Sequence, residues 1–391
     1  MSDTKGLFEV LKGNIRQSGI FVAFVAIVGL FSVLSPTFLS PSNINNIVQQ
    51  YSYVFILTIG MLFVIVLGQI DLSVGSVVAV TGAIAGLLII KNGVPWHIGI
   101  LAAIGVGILI GAWQGFWVAY VGIPGFIVTL AGMLLFRGLT FVVTGNVSLS
   151  PFPNEYKAIG QGHLNGLLGG QGYDVFTLLI FGLAVVGFAV QQWRSRMARL
   201  SYNQPVEALW LFAIKILAIG VVIMAFAYQL AHERGLPIVL ILLALLVLVY
   251  GTLSNSTVFG RNVYAIGGNK AAAALSGINV KAVTFWTYVN IGLLSGIAGV
   301  VYSSRMSAAQ PGAGNMFELD AIAACFIGGA STTGGVGRIS GALIGGLIMA
   351  VLSNGMQLLG ADTATQQMVK GMVLLLAVAF DVWNKRRAGG Q

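Results

Sequence analysis

The chain has 391 residues, of which 57% are hydrophobic and only 8% are charged, whereas soluble domains carry about 25% charged residues. With so few charges the chain cannot cover a water-facing surface, which excludes a soluble protein. The formal net charge of +9 does not indicate nucleic-acid binding, because the basic residues are scattered between apolar runs rather than gathered in a patch.

Apolar runs of about 20 residues, the length that crosses a bilayer as a helix, recur from end to end of the chain. We therefore predict an all-α polytopic membrane protein with about 10–12 transmembrane helices, some of them broken, forming one transmembrane domain over residues 1–391. The run at 319–334 is short and rich in glycine, so we expect it to be re-entrant or broken. In chain order the predicted spans are 19–38, 47–67, 74–92, 96–120, 124–144, 174–192, 207–231, 236–253, 282–303, 319–334, 340–359 and 366–383.

The distribution of lysine and arginine predicts the orientation of the spans, because cytoplasmic loops are enriched in these residues. With the N-terminus in the cytoplasm and twelve spans threaded, both termini lie inside. Only Lys91, Lys157, Arg234 and Arg305 then lie outside, and most of the others lie inside. Two connecting segments are long: 145–173 on the outer side, whose Gly, Pro and Asn content indicates an ordered loop, and 254–281 on the inner side.

A weak internal repeat links the two halves of the chain. TGAIAG at 81–86 is similar to SGALIGG at 340–346, and each follows a Gly/Ser-rich break, DLSVGS or STTGGVGRIS. Interrupted apolar segments at corresponding places are typical of transporters built from inverted repeats. The spacing between break and motif differs in the two halves.

The stretch GQIDLSVGS at 68–76 places a carboxylate between two apolar runs. Asp71 or Ser73 can cap the start of the third span, accepting from backbone N–H groups that have no partner in lipid. A charge at such a break can equally gate or line a transport path, because charged residues inside membranes are functional by default. Both interpretations remain open from the sequence.

Other polar or aromatic side chains within the apolar spans are candidates for the lining of a path, although each is also explained by a hydrogen bond between helices. They are Gln69, Ser73, Ser76, Trp113, Gln114, Thr129, Asn290 and Asn354. Of the charged candidates, Glu318 and Asp320 suit a helix start and Lys215 can extend to the interface. Arg137 and Lys370 can pair with a carboxylate or line the path.

Catalytic motifs are missing from the sequence. No glycine precedes a lysine, so there is no phosphate-binding P-loop, and GGVGRISG at 334–341 is better explained by close helix packing through small residues. The three histidines are far apart and offer no metal-ligand spacing. We expect no enzyme activity, catalytic residue, metal or cofactor in this chain, so active transport would draw energy from a partner or an ion gradient.

The inner loop contains GRNVYAIGGNKAAAALSGINVK, which predicts a short, smooth helix. Asn269 is a good N-cap for a helix over Lys270 to Leu275, and Gly277 can adopt the left-handed conformation that ends it. Such a helix can lie in a narrow groove of another protein, although an ordinary solvated connector has the same pattern.

GRNVYAIGGNKAAAALSGINV, GQIDLSVGS and GGASTTGGVG together resemble the permease family of bacterial ATP-binding-cassette sugar importers, and the resemblance covers nearly the whole chain. FIVTLAGMLLFRGL (126–139), WRSRMARL (193–200), ELDAIAACFIGGAS (318–331) and GALIGGLIMAVLSNGM (341–356) are most similar to the xylose members. The resemblance implies a permease that imports a monosaccharide, D-xylose first and ribose, galactose or arabinose as alternatives.

The resemblance also implies the assembly. It implies a homodimer of two permease copies in the lipid of the bacterial inner membrane, two cytoplasmic ATPase subunits that use ATP and Mg, and a periplasmic sugar-binding protein. In the family the inner loop couples to the ATPase, a role that the matching motif transfers to Arg261, Gly268, Asn269, Ala271, Ala272, Ser276 and Gly277.

Two other classes of function compete with this interpretation. An ion-coupled secondary transporter would work alone and depend on Asp71, but no proton relay is visible. A passive channel would leave the specific inner loop unexplained.

Overall fold

The computed structural model describes residues 15–204 and 206–388. Lys5 and Lys12, part of the predicted inner charge, lie outside the described residues. The described part of the chain is almost entirely helical and agrees with the predicted all-α membrane fold.

The first half of the chain consists of membrane helices joined by short turns. Its elements, in order, are α1 Ile15–Leu34, α2 Pro41–Gln50, α3 Ser52–Val66, α4 Val74–Gly86 continued by a π-helical turn Leu87–Lys91, α5 Trp96–Phe116 continued by a second π-helical turn Trp117–Val121, α6 Gly125–Thr144, α7 Asn154–Gln161 and β1 His163–Leu164.

The second half begins with a long helical hairpin and ends with the C-terminal helices. Its elements are α8 Val175–Ser201, α9 Leu209–Glu233, β2 Leu236–Pro237, α10 Ile238–Ser256, α11 Val258–Gly268, α12 Lys270–Leu275, α13 Val280–Met306, α14 Phe317–Ile327, α15 Ile339–Leu358 and α16 Thr363–Ala388. β1 pairs antiparallel with β2, with His163 opposite Pro237.

Within the described residues, nine helices are long and apolar enough to cross a membrane, and α2 with α3, bent by 43° around Tyr51, form a tenth. Every predicted span corresponds to a helix. The two shorter ones are α1, whose described apolar part is Gly19–Leu34, and α14, which has 11 residues. The predicted short or broken character of 319–334 is therefore confirmed.

One helix, α3, lies at the centre of the molecule and is enclosed by other helices. α3 is buried along nearly its whole length. α13, α14, α15 and α10 pack around it, and α4 packs in turn on α13. On α8, by contrast, only Thr177 is buried. The α8–α9 hairpin is thus a peripheral addition to a buried centre. The segment 145–173 between α6 and α8 contains a short helix, α7.

Candidate functional site

The helical path is broken between α3 and α4, at the GQIDLSVGS stretch. Gly68 adopts a positive φ of 82°, a conformation that glycine tolerates best, and residues 69–73 are not helical. The carboxylate of Asp71 accepts from the backbone N–H and the hydroxyl of Ser73, both at 2.7 Å. Ser73 occupies the N-cap position but its side chain caps no backbone group. Asp71, which is 1% exposed, is therefore the residue that satisfies the helix entry.

Residues far apart in the sequence surround this break. The amide of Gln114 on α5 donates to the hydroxyl of Ser73 at 2.6 Å, and the hydroxyl of Thr129 on α6 accepts from the backbone of Leu72 at 3.1 Å. Gln114, Ser73 and Asp71 form a continuous buried chain of hydrogen bonds. The structure thus brings together four of the predicted polar candidates, from three different spans.

Gln69 and Tyr288 complete this cluster. The side-chain carbonyl of Gln69 accepts from the backbone N–H of Gly125 at 3.2 Å, and a Cβ at Gly125 would overlap both Gln69 and the hydroxyl of Tyr288. That hydroxyl is buried and has no hydrogen-bond partner among the described residues. Sequence reasoning missed Tyr288, because a tyrosine in an apolar helix looks like core and nothing local shows where its hydroxyl points.

A second break precedes α14 and meets the first. Ala309 lies beside Gly86 near the end of α4, whereas Gly314 lies against Gly75 near its start. The chain from 309 to 314 therefore runs back along about 16 Å of α4, at 1.5 Å per residue. Consequently α14 begins within the layer of helices rather than at its edge.

The contact between the two breaks is close and charged. A Cβ at Gly75 would overlap the backbone carbonyl of Gly314 and the carboxylate of Glu318 in the first turn of α14. The guanidinium of Arg137 donates to the backbone carbonyls of Pro311 and Ala313 and its charge acts on Glu318. Arg137, which had no partner in the sequence analysis, holds the second break.

The chain enters the two breaks from opposite ends of α13. Val66, at the end of α3, lies next to the α11–α12 segment, whereas α13 runs from that segment across to the other side before the second break. Discontinuous helices in the two halves of a chain are typical of transporters built from inverted repeats. The structure brings the first break against two segments: the one before α14, through Gly75 and Gly314, and STTGGVGRIS, through Gly68 and Gly334.

Ser76 lies in the first turn of α4 beside this cluster, and its buried hydroxyl has no hydrogen-bond partner among the described residues. The other path candidates make their contacts elsewhere. Trp113 is 40% exposed and packs against the rings of Trp117 and Phe136. Asn290 accepts from the hydroxyl of Tyr250. Asn354 exchanges two hydrogen bonds of 2.9 Å with Asn43, a buried link between α2 and α15.

Three more of the charged candidates, Lys370, Asp320 and Lys215, form ion pairs. Lys370 forms an ion pair with the largely buried Asp320, at 2.9 Å, which explains a lysine in the last span. Lys215 binds Glu207 at 2.8 Å, and both side chains are partly exposed. Among the described residues no group of His, Cys, Asp and Glu is suited to a metal ion, and Cys325 is buried and free.

The inner loop forms the short helix that its sequence predicts. α12 spans Lys270–Leu275, the side chain of Asn269 accepts from the backbone of Ala272 at 2.9 Å, and Gly277 has a φ of 83°. Only Ala273 of this helix is buried, and Leu275 is 91% exposed. α12 therefore presents a small-residue surface with one protruding leucine. Arg261 and Gly268, on α11, are also exposed.

The base of the inner loop lies directly against the first break. Gly335 donates its N–H to the carbonyl of Val66 at 2.8 Å, and a Cβ at Gly267 would overlap that carbonyl and press on the Gly335 nitrogen. Gly334 lies against Gly68 in the same way. We call Val66, Gly267 and Gly335 the glycine seam. The seam joins α11, the end of α3 and the GGVG turn without intervening side chains.

Comparison with known proteins identifies the family to which this chain belongs. The family described as "Branched-chain amino acid transport system / permease component" matches residues 43–378, which is most of the chain. The chain belongs to this permease family. It is a membrane-spanning transport permease and not an enzyme.

Similar proteins cover nearly the full length. The chain is 41% identical over 382 residues to the xylose transport system permease protein XylH of Haemophilus influenzae, covering 97% of this chain and 100% of that protein. It is 40% identical over 387 residues to XylH of Escherichia coli (98% and 96%). Identity with the E. coli ribose import permease protein RbsC is 36% over 376 residues (96% of each). No solved structure matches this permease significantly.

Proposed function

We propose that this permease is the membrane subunit of an ATP-binding-cassette importer that carries a monosaccharide, D-xylose, across the bacterial inner membrane. The family and the fold support a permease. Xylose is favoured because the two XylH proteins are more similar to this chain than RbsC is. Ribose, galactose and arabinose are the alternatives.

The observation that carries the proposal is the position of α12. A capped, exposed helix with small side chains suits a groove of a partner, and it connects through the glycine seam to the broken helix at Asp71. An ATPase that binds α12 can therefore act on the path through contiguous backbone. We assign the ATPase contact to Arg261, Gly268, Asn269, Ala271, Ala272, Ser276 and Gly277.

The transported sugar passes beside the two half-helices in this proposal. Hydroxyl groups of a sugar need amide, hydroxyl and carboxylate partners, and Gln69, Gln114, Ser73 and the unpartnered Tyr288 hydroxyl supply them beside Asp71. Most of these groups already bind one another, so a weak, transient passage is favoured over a strong site. Recognition of the sugar then belongs to a periplasmic binding protein that docks on the outer side, where 145–173 lies.

The proposed assembly contains two permease copies in inner-membrane lipid, with both termini in the cytoplasm. The ATPase consumes ATP with Mg and no cofactor resides in the permease. ATP hydrolysis shifts α12, and the glycine seam passes the shift to Val66 and the break that follows it. Access to the path then alternates between the two sides.

Reconstitution tests this function directly. The permease is placed in proteoliposomes with its ATPase and supplied outside with sugar-loaded binding protein, and uptake of labelled xylose and ribose is followed. We expect xylose uptake that requires internal ATP, and none when the permease is alone. Uptake by the permease alone that an uncoupler abolishes would establish an ion-coupled transporter, and uncoupler-insensitive flux would establish a channel.

The ATPase contact has its own test. Replacement of 269–277 by a Gly/Ser linker of equal length should abolish co-purification of the ATPase while the permease still elutes as a folded protein. A matched variant replaces the outer turn 165–172, which leaves α12 untouched, and should keep the ATPase. Retention of the ATPase by the linker variant would disprove the assignment.

A further inference from the structure

The α8–α9 hairpin has a basic end on the same side of the membrane as α12. α9 and α10 are successive spans joined by the short segment 234–237. The turn between α8 and α9 and the α11–α12 segment therefore lie on one side. Four basic residues, Arg194, Arg196, Arg199 and Lys215, flank this turn against one acidic residue, Glu207. The hairpin is peripheral, so this end meets the lipid headgroups.

A shallow, open apolar cleft lies along α9 beside Trp193 of α8, next to the basic turn. Its volume is about 520 Å³, and its lining includes Trp193, Leu209, Phe212, Ala213, Ile216 and Leu217. With almost no polar lining, it cannot recognise a sugar. A cleft of this kind at a membrane-facing surface suits a hydrocarbon chain.

The charges beside the cleft are held on its rim. The guanidinium of Arg196 lies 5.2 Å from the ring centroid of Phe212 and donates to the backbone carbonyl of Glu207. Arg199 is three residues further along α8 and shares the face of Arg196. Lys215 pairs with the Glu207 carboxylate, so the arginines of this turn have no acidic partner among the described residues.

We propose that this end of the hairpin binds one anionic phospholipid, with its phosphate at Arg196 and Arg199 and an acyl chain in the cleft. Basic pockets between membrane helices on the cytoplasmic side attract anionic headgroups, and Trp193 lies where interfacial tryptophans are enriched. The bound lipid fastens a hairpin that otherwise buries little surface against the rest of the protein. The site is independent of the transported sugar.

Native mass spectrometry of the purified permease in detergent measures the binding. Phosphatidylglycerol, phosphatidylcholine with the same acyl chains, and glycerol phosphate are titrated in parallel. We expect phosphatidylglycerol to bind at least about tenfold more tightly than phosphatidylcholine, because each basic residue near the surface contributes measurably, and glycerol phosphate to bind far more weakly. Equal binding of both lipids would overturn the proposal, and binding of glycerol phosphate as tight as that of the lipid would indicate a phosphate site instead.

Paired variants locate the site. Arg196→Gln with Arg199→Gln should abolish the preference for phosphatidylglycerol, and Arg199→Gln alone, an exposed change that spares the Phe212 contact, should reduce it severalfold. Lys281→Gln with Arg338→Gln removes two exposed charges on the same side, away from the cleft, and should leave the preference intact. Ala213→Phe fills the cleft and should weaken both lipids without affecting glycerol phosphate. An unchanged preference in the Arg199→Gln variant and the double arginine variant would disprove the location.

Discussion

Asp71 and Ser73 form a closed unit in which one carboxylate oxygen accepts from both the backbone N–H and the hydroxyl of the serine, each at 2.7 Å. The unit is buried at a helix start, where water cannot replace a lost acceptor. This geometry supports a capping role for Asp71. A role for Asp71 in the transport path is a proposal that depends on the neighbouring side chains of Gln114 and Tyr288.

Substitutions at Asp71 separate its acceptor from its charge. Asp71→Asn keeps an oxygen acceptor, whereas Asp71→Ala leaves two buried donors of Ser73 without a partner, which costs roughly 1–3 kcal/mol for each orphaned group. We expect the thermal midpoint of the purified permease to fall clearly in the alanine variant and little in the asparagine variant. Xylose uptake that is lost equally in both, with the asparagine variant stable, would show that the charge itself acts in transport.

The contact of the two breaks predicts a strict requirement for glycine at position 75. In Gly75→Ala the new methyl group overlaps the Gly314 carbonyl and Glu318, and overpacking of this kind costs about 1–3 kcal/mol. Gly138→Ala, on a helix with no heavy atom within 4 Å of the added Cβ, is the matched control and should keep the thermal midpoint of the unmodified permease. Equal midpoints in both variants would contradict the close approach of the breaks.

Two adjacent glycines test the glycine seam. Gly267→Ala forces Val66 and Gly335 apart, whereas at Gly268 an added Cβ meets nothing within 4 Å. We expect the first variant to lower the thermal midpoint and the second to leave it unchanged. In the reconstituted importer, Gly267→Ala should also lower the xylose transported per ATP hydrolysed, because it disturbs the route from α12 to the break. An equally low thermal midpoint in both variants would contradict the glycine seam, because it would show that α11 requires glycine at either position.

The ion pair of Lys370 and Asp320 should contribute to stability far more than the exposed pair of Lys215 and Glu207. Lys370→Met leaves the largely buried Asp320 charge without its partner, a loss of roughly 3–5 kcal/mol for buried pairs. Lys215→Met removes a partly exposed pair of the kind that contributes about 0.2–1 kcal/mol. Thermal midpoints of the two variants measure the contrast, and Lys370→Met with Asp320→Asn should regain part of the loss. Equal midpoints for the two single variants would contradict this assignment.

His163 predicts a pH dependence of stability on the side of the 145–173 loop. Burial, and then the positive charge of Arg234, lower the pKa of this histidine, whose ring lies 3.0 Å from Asn45 and 3.2 Å from Gln49. The folded state therefore binds the proton less readily than the unfolded state, so stability is full above the ordinary histidine pKa and falls as the pH drops through it. His163→Gln should flatten the dependence of the thermal midpoint between about pH 5 and pH 8. A dependence as steep as before would assign it to another group.

Local features of the fold were predictable because they depend on neighbours in sequence. Asn269 and Gly277 bound α12 as expected, since a cap and a left-handed glycine act within one turn of the chain. The short α14 was visible as a run too short and too rich in glycine to cross a bilayer. The partner of Arg137 was not visible, because Pro311 and Ala313 lie more than 170 residues away in sequence.

The sequence by itself determined that this is a helical membrane protein with about a dozen apolar segments and one short capped helix, α12. It did so because helix length, capping and the exclusion of charge from lipid are matters of composition and short spacing. Only the tertiary structure decided that Gln69, Asp71, Ser73, Gln114, Thr129 and Tyr288 share one buried cluster and that the breaks at Gly75 and Gly314 meet. Those relations arise because the helices pack at van der Waals distance. At such distances, a glycine without a Cβ determines which distant backbone segment can approach it. A local sequence pattern does not show which segment that is.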